Sequence, residues 1–349
     1  MTTSPKTISK TTSSTQEYPA IDPSPAVQAP PFVLLRNLNR GGGLVLLSLR
    51  RLRHYVGLNF LALIGVILAV GLVTSAGFFS QAVDTVVMRQ ELAEYSRITG
   101  KPPFSIRVFN SSTAAVPLSL EWATELGKGI AHTLSQEMNL PASDLLLQVN
   151  SGIVSMRTQR DGATASTNVN VFYQDGIAGY MSIAQGVAMD ENASSADQVD
   201  VWVHARLAGK IGVDVGDAIS LSLSGSEQSV PGRVAGVWQA ADPKDAYWLS
   251  DPDQAFQDGL VVRRADYIGR IEPLLPIKVR AATWRVTLDE SQANPADGRL
   301  YVTGLERAPI IIDRFLPGAR VTSPALPLEK FVNRQTSLTT LLLGFNVPG

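Results

Sequence analysis

Tyr55–Ser80 reads YVGLNFLALIGVILAVGLVTSAGFFS, a run without a single charged side chain. A helix of about 20 residues crosses the roughly 30 Å hydrocarbon core of a bilayer, so this run spans even when tilted. Gly57, Gly65, Gly71 and Gly77 would weaken a helix in water. In lipid such glycines are common, and they let a neighbouring backbone come close. Leu63–Gly71 is too uniformly apolar for the one-sided core helix of a soluble domain. A secretory signal peptide has a short basic lead and an apolar stretch of about 7–15 residues. Here the stretch begins only at Tyr55 and continues to Ser80. It reads as a transmembrane helix.

Charge is distributed around that run in a fixed order. Residues 1–54 carry seven basic residues (Lys6, Lys10, Arg36, Arg40, Arg50, Arg51, Arg53) against Glu17 and Asp22, a net of +5. Residues 55–83 carry none, so the remainder sums to −6 within a total of −1. Basic side chains collect on the cytoplasmic side of a membrane. This predicts a cytoplasmic N-terminus, with everything after about residue 84 outside the cell, on a cell (inner or plasma) membrane protein.

Upstream of the span, residues 1–43 form a tail rich in Ser, Thr and Pro that ends in RNLNRGGG (Arg36–Gly43). It has little to bury, cannot offset the entropy of ordering, and is expected to be disordered. Across 44–54, Val45, Leu49 and Leu52 recur at helical spacing with Arg50, Arg53 and His54 opposite them. That pattern suits a juxtamembrane helix lying on anionic lipid, and equally an ordinary helical lead-in to the span.

Beyond the span the pattern is α+β. Asp84–Ser96 continues as a polar helix. Phe104–Phe109 (FSIRVF) alternates as a strand, Leu118–Leu140 is an amphipathic helix stopped by Pro141, and Leu145–Val154 reads as a strand. Ala281–Leu288 is another strand, and Leu300–Leu316 is helical in part, with Pro309 expected to break or kink it. Strand–helix–strand thus occurs twice, in 84–188 and in 272–335, which suggests a split βαβ layer fold. Between the two units, 189–271 is β-rich. Val199–Val203 alternates, as does Asn168–Tyr173 ahead of it, and a short helix covers His204–Ile211. Gly212 and Gly216 mark a turn, then Ala218–Leu223 and Gly232–Trp238 complete an antiparallel or barrel-like module. Ser337–Gly349 (SLTTLLLGFNVPG) is apolar, and 336–349 is expected to begin a second transmembrane helix.

No catalytic, cofactor-binding or metal site is read from the sequence. Cysteine is absent, which excludes thiol catalysis, thiolate metal centres and disulfides. His132 lies on the amphipathic helix, and no Gly-x-Ser-x-Gly elbow presents a serine. Asp242, Asp245, Asp251 and Asp253 form an acidic loop that suits calcium in chemistry but not in EF-hand spacing. Pro243 and Pro252 suit a plain surface loop. Within it, Tyr247-Trp248-Leu249 either anchors a partner or packs inward. Nucleic acid is disfavoured, because the outer region is acidic and the basic cluster abuts the membrane.

Two local patterns carry a family resemblance. VWVHARLAGKIGVDVGDAIS (201–220) and VPGRVAGVW (230–238) resemble the strand, short helix, Gly-x-x-x-Gly-Asp turn and following strand of the FtsX/MacB-like ABC transporter permeases. The sequence departs at His204, where that family more often has asparagine. The resemblance implies a porter-like subdomain from 84–188 and 272–335, with a sabre-like insert at 189–271. It further implies a permease dimer, homo- or heteromeric, and a separate cytoplasmic ABC ATPase subunit. By this reading the chain is a permease subunit working by mechanotransmission and is not itself an enzyme. A single-span receptor or a membrane-anchored scaffold with an outer binding domain is the alternative.

Gly41–Gly43 is followed by no Gly-Lys-Ser/Thr, so the chain has no phosphate-cradling loop. The purified chain alone is expected to show neither saturable ATP binding nor ATP turnover. Equilibrium binding with labelled ATP checks this, and a saturable isotherm contradicts it.

Overall fold

The computed structural model describes residues 56–113, 117–160, 163–193, 197–223 and 226–344. The expected disordered tail (1–43), juxtamembrane helix (44–54) and final residues 345–349 lie outside the described residues. The chain divides into two units, Met1–Thr74 and Ser75–Gly349.

In the first unit the described part is the start of helix α1, Val56–Thr99. Leu58, Phe60, Leu61, Leu63, Val66, Ile67, Leu68 and Val70 are all more than half exposed. These positions fall on every side of the helix, so no face is reserved for a protein core. Among the described residues no helix is long and apolar enough to cross a membrane. The described side chains of the apolar run are those at 57–58, 60–71, 74 and 75, and the rest of the expected span lies outside them.

The second unit is α+β, with ten strands among the described residues joined in one mixed sheet. Strand β1 (Ser105–Ser111) leads to α2 (Leu120–Met138) and then β2 (Ala142–Arg160). Late in the chain β9 (Ala281–Leu288) leads to a long helix, Gly298–Phe315, and to β10 (Arg320–Thr322). Their spatial order is β10-β1-β9-β2, with each neighbouring pair antiparallel. This is the split βαβ arrangement expected from the two strand–helix–strand units. Helix α2 begins where Ser119 accepts a bond from the Trp122 N–H. It ends at Asn139, whose φ of 50° is left-handed, with Pro141 just beyond. Its buried stripe is Leu120, Ala123, Leu126, Gly127, Ile130, Leu134 and Met138. These recur three or four apart, the signature of one face laid on a sheet.

The insert grows out of β2 itself. Between Asn150 and Ile153 the pairing register shifts, and Gly152 sits at φ 75°. Before the shift β2 pairs with β9, and after it with β6 (Ala218–Ser222). Strand β3 (Ala163–Gln174) lines the other edge from Gln148 to Arg160, across the shift. From there the pairing runs β3 to β8 (Gly259–Val261), to β5 (Val199–His204), to β7 (Ser229–Ala240), to β6 and back to β2. Six strands therefore close a ring, which leaves no unpaired edge between them. The sequence boundary at 188/189 falls in the loop after β4 (Met181–Gly186). The ring, however, also takes β3 and the second half of β2, because one long strand serves both parts.

The short helix α3 (Ala205–Ile211) follows β5, with Gly212 at φ 68° and Gly216 at φ 95° in the turn after it. We label Gly298–Phe315 α4 and the last helix, Ala325–Gly344, α5. Helix α4 runs through Pro309 rather than ending there. The missing N–H costs an interior helix about 3 kcal/mol. Burial of Tyr301, Leu305, Ala308 and Ile312 along one face offsets it, at roughly 1.5–3 kcal/mol for each large side chain. The same face brings α4 against the end of α2. A Cβ added at Gly304 would lie 2.6 Å from the Glu137 carbonyl oxygen.

Gly304→Ala is therefore expected to lower stability by about 1–3 kcal/mol through overpacking. Gly129→Ala, on the open side of α2 with nothing within 4 Å of the added methyl, should raise it by about 0.5–1 kcal/mol. Denaturation midpoints of the two variants read both signs, and equal shifts would contradict the close approach.

Candidate functional site at the junction of sheet and ring

The loop after β7 carries Ala246–Leu249 across the sheet face opposite to α2. Four consecutive backbone carbonyls there meet three cationic side chains. Arg285 Nη1 on β9 donates to the carbonyls of Ala246 and Tyr247, the second at 2.8 Å. Lys101 Nζ donates to the Trp248 carbonyl. Arg107 Nη1 on β1 donates to the Leu249 carbonyl at 3.1 Å. Arg107 and Arg285 are register partners on adjacent strands, which is why both reach the same stretch of backbone.

The side chains of this stretch point the other way, into a second core. Tyr247, Trp248 and Leu249 are 6%, 2% and 7% exposed, so Tyr247-Trp248-Leu249 is an inward plug, not an exposed anchor. Trp248 lies 6.1 Å from Trp238 in a near-parallel stack and 6.2 Å from Phe256 edge-on. The Tyr247 ring stacks on Tyr180 at 3.6 Å, and its hydroxyl donates to the Asp175 carbonyl at 2.8 Å. Burial pushes the Tyr247 phenol far above its ordinary pKa. The segment is thus a wedge, with polar backbone toward the sheet and aromatic rings toward the ring of strands.

Lys101 joins this wedge to α1. Gly100, at φ 65°, turns the chain out of the helix, and its N–H donates to the Ser96 carbonyl at 2.8 Å. Ser96 Oγ donates to the Lys101 carbonyl at 2.7 Å, while the Lys101 N–H reaches Thr99 Oγ1 at 3.3 Å. Both sides of the Lys101 backbone are therefore tied to the last turn of α1. Upstream in that helix Met88 and Leu92 are buried, and Glu91 pairs with Arg334 of α5.

Electrostatically the wedge is lopsided. Burial, followed by the charges of Arg285 and Arg107, holds the Lys101 amine below its ordinary pKa, with Asp245 pulling upward. Arg285 also meets Asp144 at 3.1 Å. Its Nε and the Thr287 hydroxyl are buried without a hydrogen-bond partner among the described residues. Three cations thus share neutral carbonyls, and each such bond is weaker than one to a carboxylate.

The residues singled out in sequence fall elsewhere. Asp242, Asp245 and Asp251 accept from the backbone N–H groups of Lys244, Tyr247 and Asp253, so each closes a turn. Asp253 pairs with Arg206 at 2.8 Å. Among the described residues no group of three His, Cys, Asp or Glu side chains could hold a metal. His132 is exposed on α2, and His54 lies outside the described residues. Sequence reading missed Lys101, Arg107 and Arg285. An arginine at an outward strand position has the same local pattern whether water or a loop covers it.

His204 caps α3. Its Nδ1 accepts the Arg206 N–H at 3.4 Å, and its Nε2 lies 3.3 Å from Asp253 Oδ1, outside hydrogen-bond geometry. Burial pushes its pKa below the ordinary 6.5, opposed by Asp253. The folded chain therefore binds fewer protons here than the unfolded chain does. This stability is full above the unfolded pKa and is lost as pH falls below it. His204→Asn keeps an acceptor at the cap and removes the titration. Its denaturation midpoint should fall less than the parent's between about pH 7 and pH 5, and parallel pH profiles would contradict the assignment.

No protein-family model matches the chain, and no curated protein matches it. Among solved structures it is similar to a domain of a presumed permease from Porphyromonas gingivalis. That likeness has 13% sequence identity and a TM-score of 0.30, over 62% of this chain and 85% of that one.

Proposed function

We propose that this chain acts as a permease subunit of an FtsX/MacB-type ABC transporter. In this reading α1 as far as about Ser80 is the first membrane span and the split βαβ unit is the porter-like subdomain. The ring of strands is its sabre-like insert. The observation that carries it is the exposed apolar surface of α1. Eight large apolar side chains between Leu58 and Val70, each over half exposed, at about 25 cal/mol per Å², make a lipid environment strongly favourable. Helix α5 supports the reading, because it is tied to α1 through Arg334 and Glu91 and continues to Gly344. The apolar run from Ser337 onward would then begin a second span.

The work assigned is mechanical. A cytoplasmic ATPase partner would move the spans of a permease dimer, and α1 would carry that movement to the outer domain. This chain holds no catalytic group in that scheme.

Topology is the experiment. The chain has no cysteine, so single cysteines at Ser14 and Ser224 report sidedness without background. On intact cells an impermeant thiol reagent should label position 224 and spare position 14 until the membrane is permeabilised. Labelling of position 14 alone would overturn the assignment.

A further inference from the structure

The geometry points to Lys101, Arg107 and Arg285 as a force-bearing clasp, through which the end of α1 controls the order of the Asp242–Phe256 loop. This deepens the proposed function, since it names the contact by which movement of α1 would reach the insert. The clasp itself is a property of the folded chain and needs no partner.

Three observations meet in it. First, Lys101 cannot move independently of α1, because Gly100, Ser96 and Thr99 bind its backbone to the last helical turn. Second, its amine bonds the carbonyl of Trp248, whose ring is 2% exposed and packs on Trp238 of β7 and on Phe256 ahead of β8. Displacing that carbonyl moves a ring packed between β7 and the residue ahead of β8. Third, the holding bonds run to neutral carbonyls and crowd like charges. Arg285 and Arg107 both depress the Lys101 pKa after burial, so separating the cations relieves repulsion. Such a contact is made to yield before the ion pairs around it. Release of Lys101 leaves Arg107 and Arg285 holding the other three carbonyls of the wedge, a partly opened state distinct from unfolding.

The test is a double-mutant cycle on the full chain, read by amide hydrogen exchange over residues 244–256. Several N–H groups there have local partners: Tyr247 on Asp245, Trp248 on Asp245, and Ala255 on Asp251. Lys101→Met keeps the stem and removes the bond. It should speed exchange there by about tenfold, the equivalent of one hydrogen bond to a charged group, and leave β5 and β7 unchanged. Gly100→Val disturbs the exit from α1, because valine resists a positive φ. It should speed exchange in the same window in the parent chain and add nothing in the Lys101→Met background. Should Gly100→Val misfold, Ser96→Ala with Thr99→Ala loosens the same tie more gently.

Equal effects of the α1 change in both backgrounds would overturn transmission through Lys101. Unchanged exchange in Lys101→Met would overturn the clasp altogether. Neither readout uses an ATPase or a membrane, so failure here is separable from failure of the topology experiment.

Discussion

One strand has to belong to two structures, and most of the second unit follows from how β2 manages it. Any backbone N–H or C=O left buried without a partner costs about 1–3 kcal/mol, so a strand cannot simply leave one sheet for another. At Asn150–Ile153 the ladder slips, and Gly152 takes φ 75°, which a side chain would resist. The gap is filled by Ser151, whose hydroxyl accepts the Val171 N–H at 2.9 Å. β9 then gives way to β6 along one edge while β3 continues along the other. The insert is thereby joined to the split βαβ unit by continuous hydrogen bonding rather than by a linker.

Ring closure creates a second demand, which is cover for its outer wall. All six residues of β5 are buried. Val199, Val201 and Val203 join the main core, while Trp202 joins the second core on the alternate face. The Asp242–Phe256 loop supplies that cover with Trp248 and Phe256, but its backbone must then face the sheet. Arg285, 7% exposed, answers those carbonyls. A buried arginine of this kind adds little net stability against an apolar replacement. Its effect is positional, since it fixes which four carbonyls lie over β9 and β1.

Local periodicity carried a good share of this into the sequence. Phe104–Phe109, Leu118–Leu140 and Ala281–Leu288 each show a repeat that only one face can satisfy, and they became β1, α2 and β9 with small shifts. The turn glycines at 212 and 216 were legible for the same reason. A barrel-like module was one of two readings of the insert, but the strands that close it were not legible, because the β2–β6 and β3–β8 pairings join residues far apart in sequence. Tyr247-Trp248-Leu249 sat among aspartates, and nothing local separates an exposed aromatic from one plugged into a core built by distant strands. Pro309 shows the converse, a strong local signal overridden by the burial of Leu305, Ala308 and Ile312. The wedge cations were invisible because their partners are carbonyls, which every residue owns.

The strengths of the polar contacts then decide where the second unit yields. Asp200 on β5 bonds Arg233 of β7 at 2.8 Å and Arg263 beside β8 at 3.1 Å. Arg263 also approaches Asp266 at 3.6 Å and lies over the Trp202 ring at 4.9 Å. Burial raises the Asp266 pKa while Arg263 opposes it. Carboxylate–guanidinium contacts of this sort are charged on both sides, whereas those of the wedge are charged on the donor side alone. They tie β5, β7 and β8 to one another. The wedge is held by cations on carbonyls, and among the described residues Asp144 is the one carboxylate that pairs with them directly. Under load the ring therefore keeps its shape while the wedge gives, and a pull arriving at Lys101 is resolved into motion of one loop.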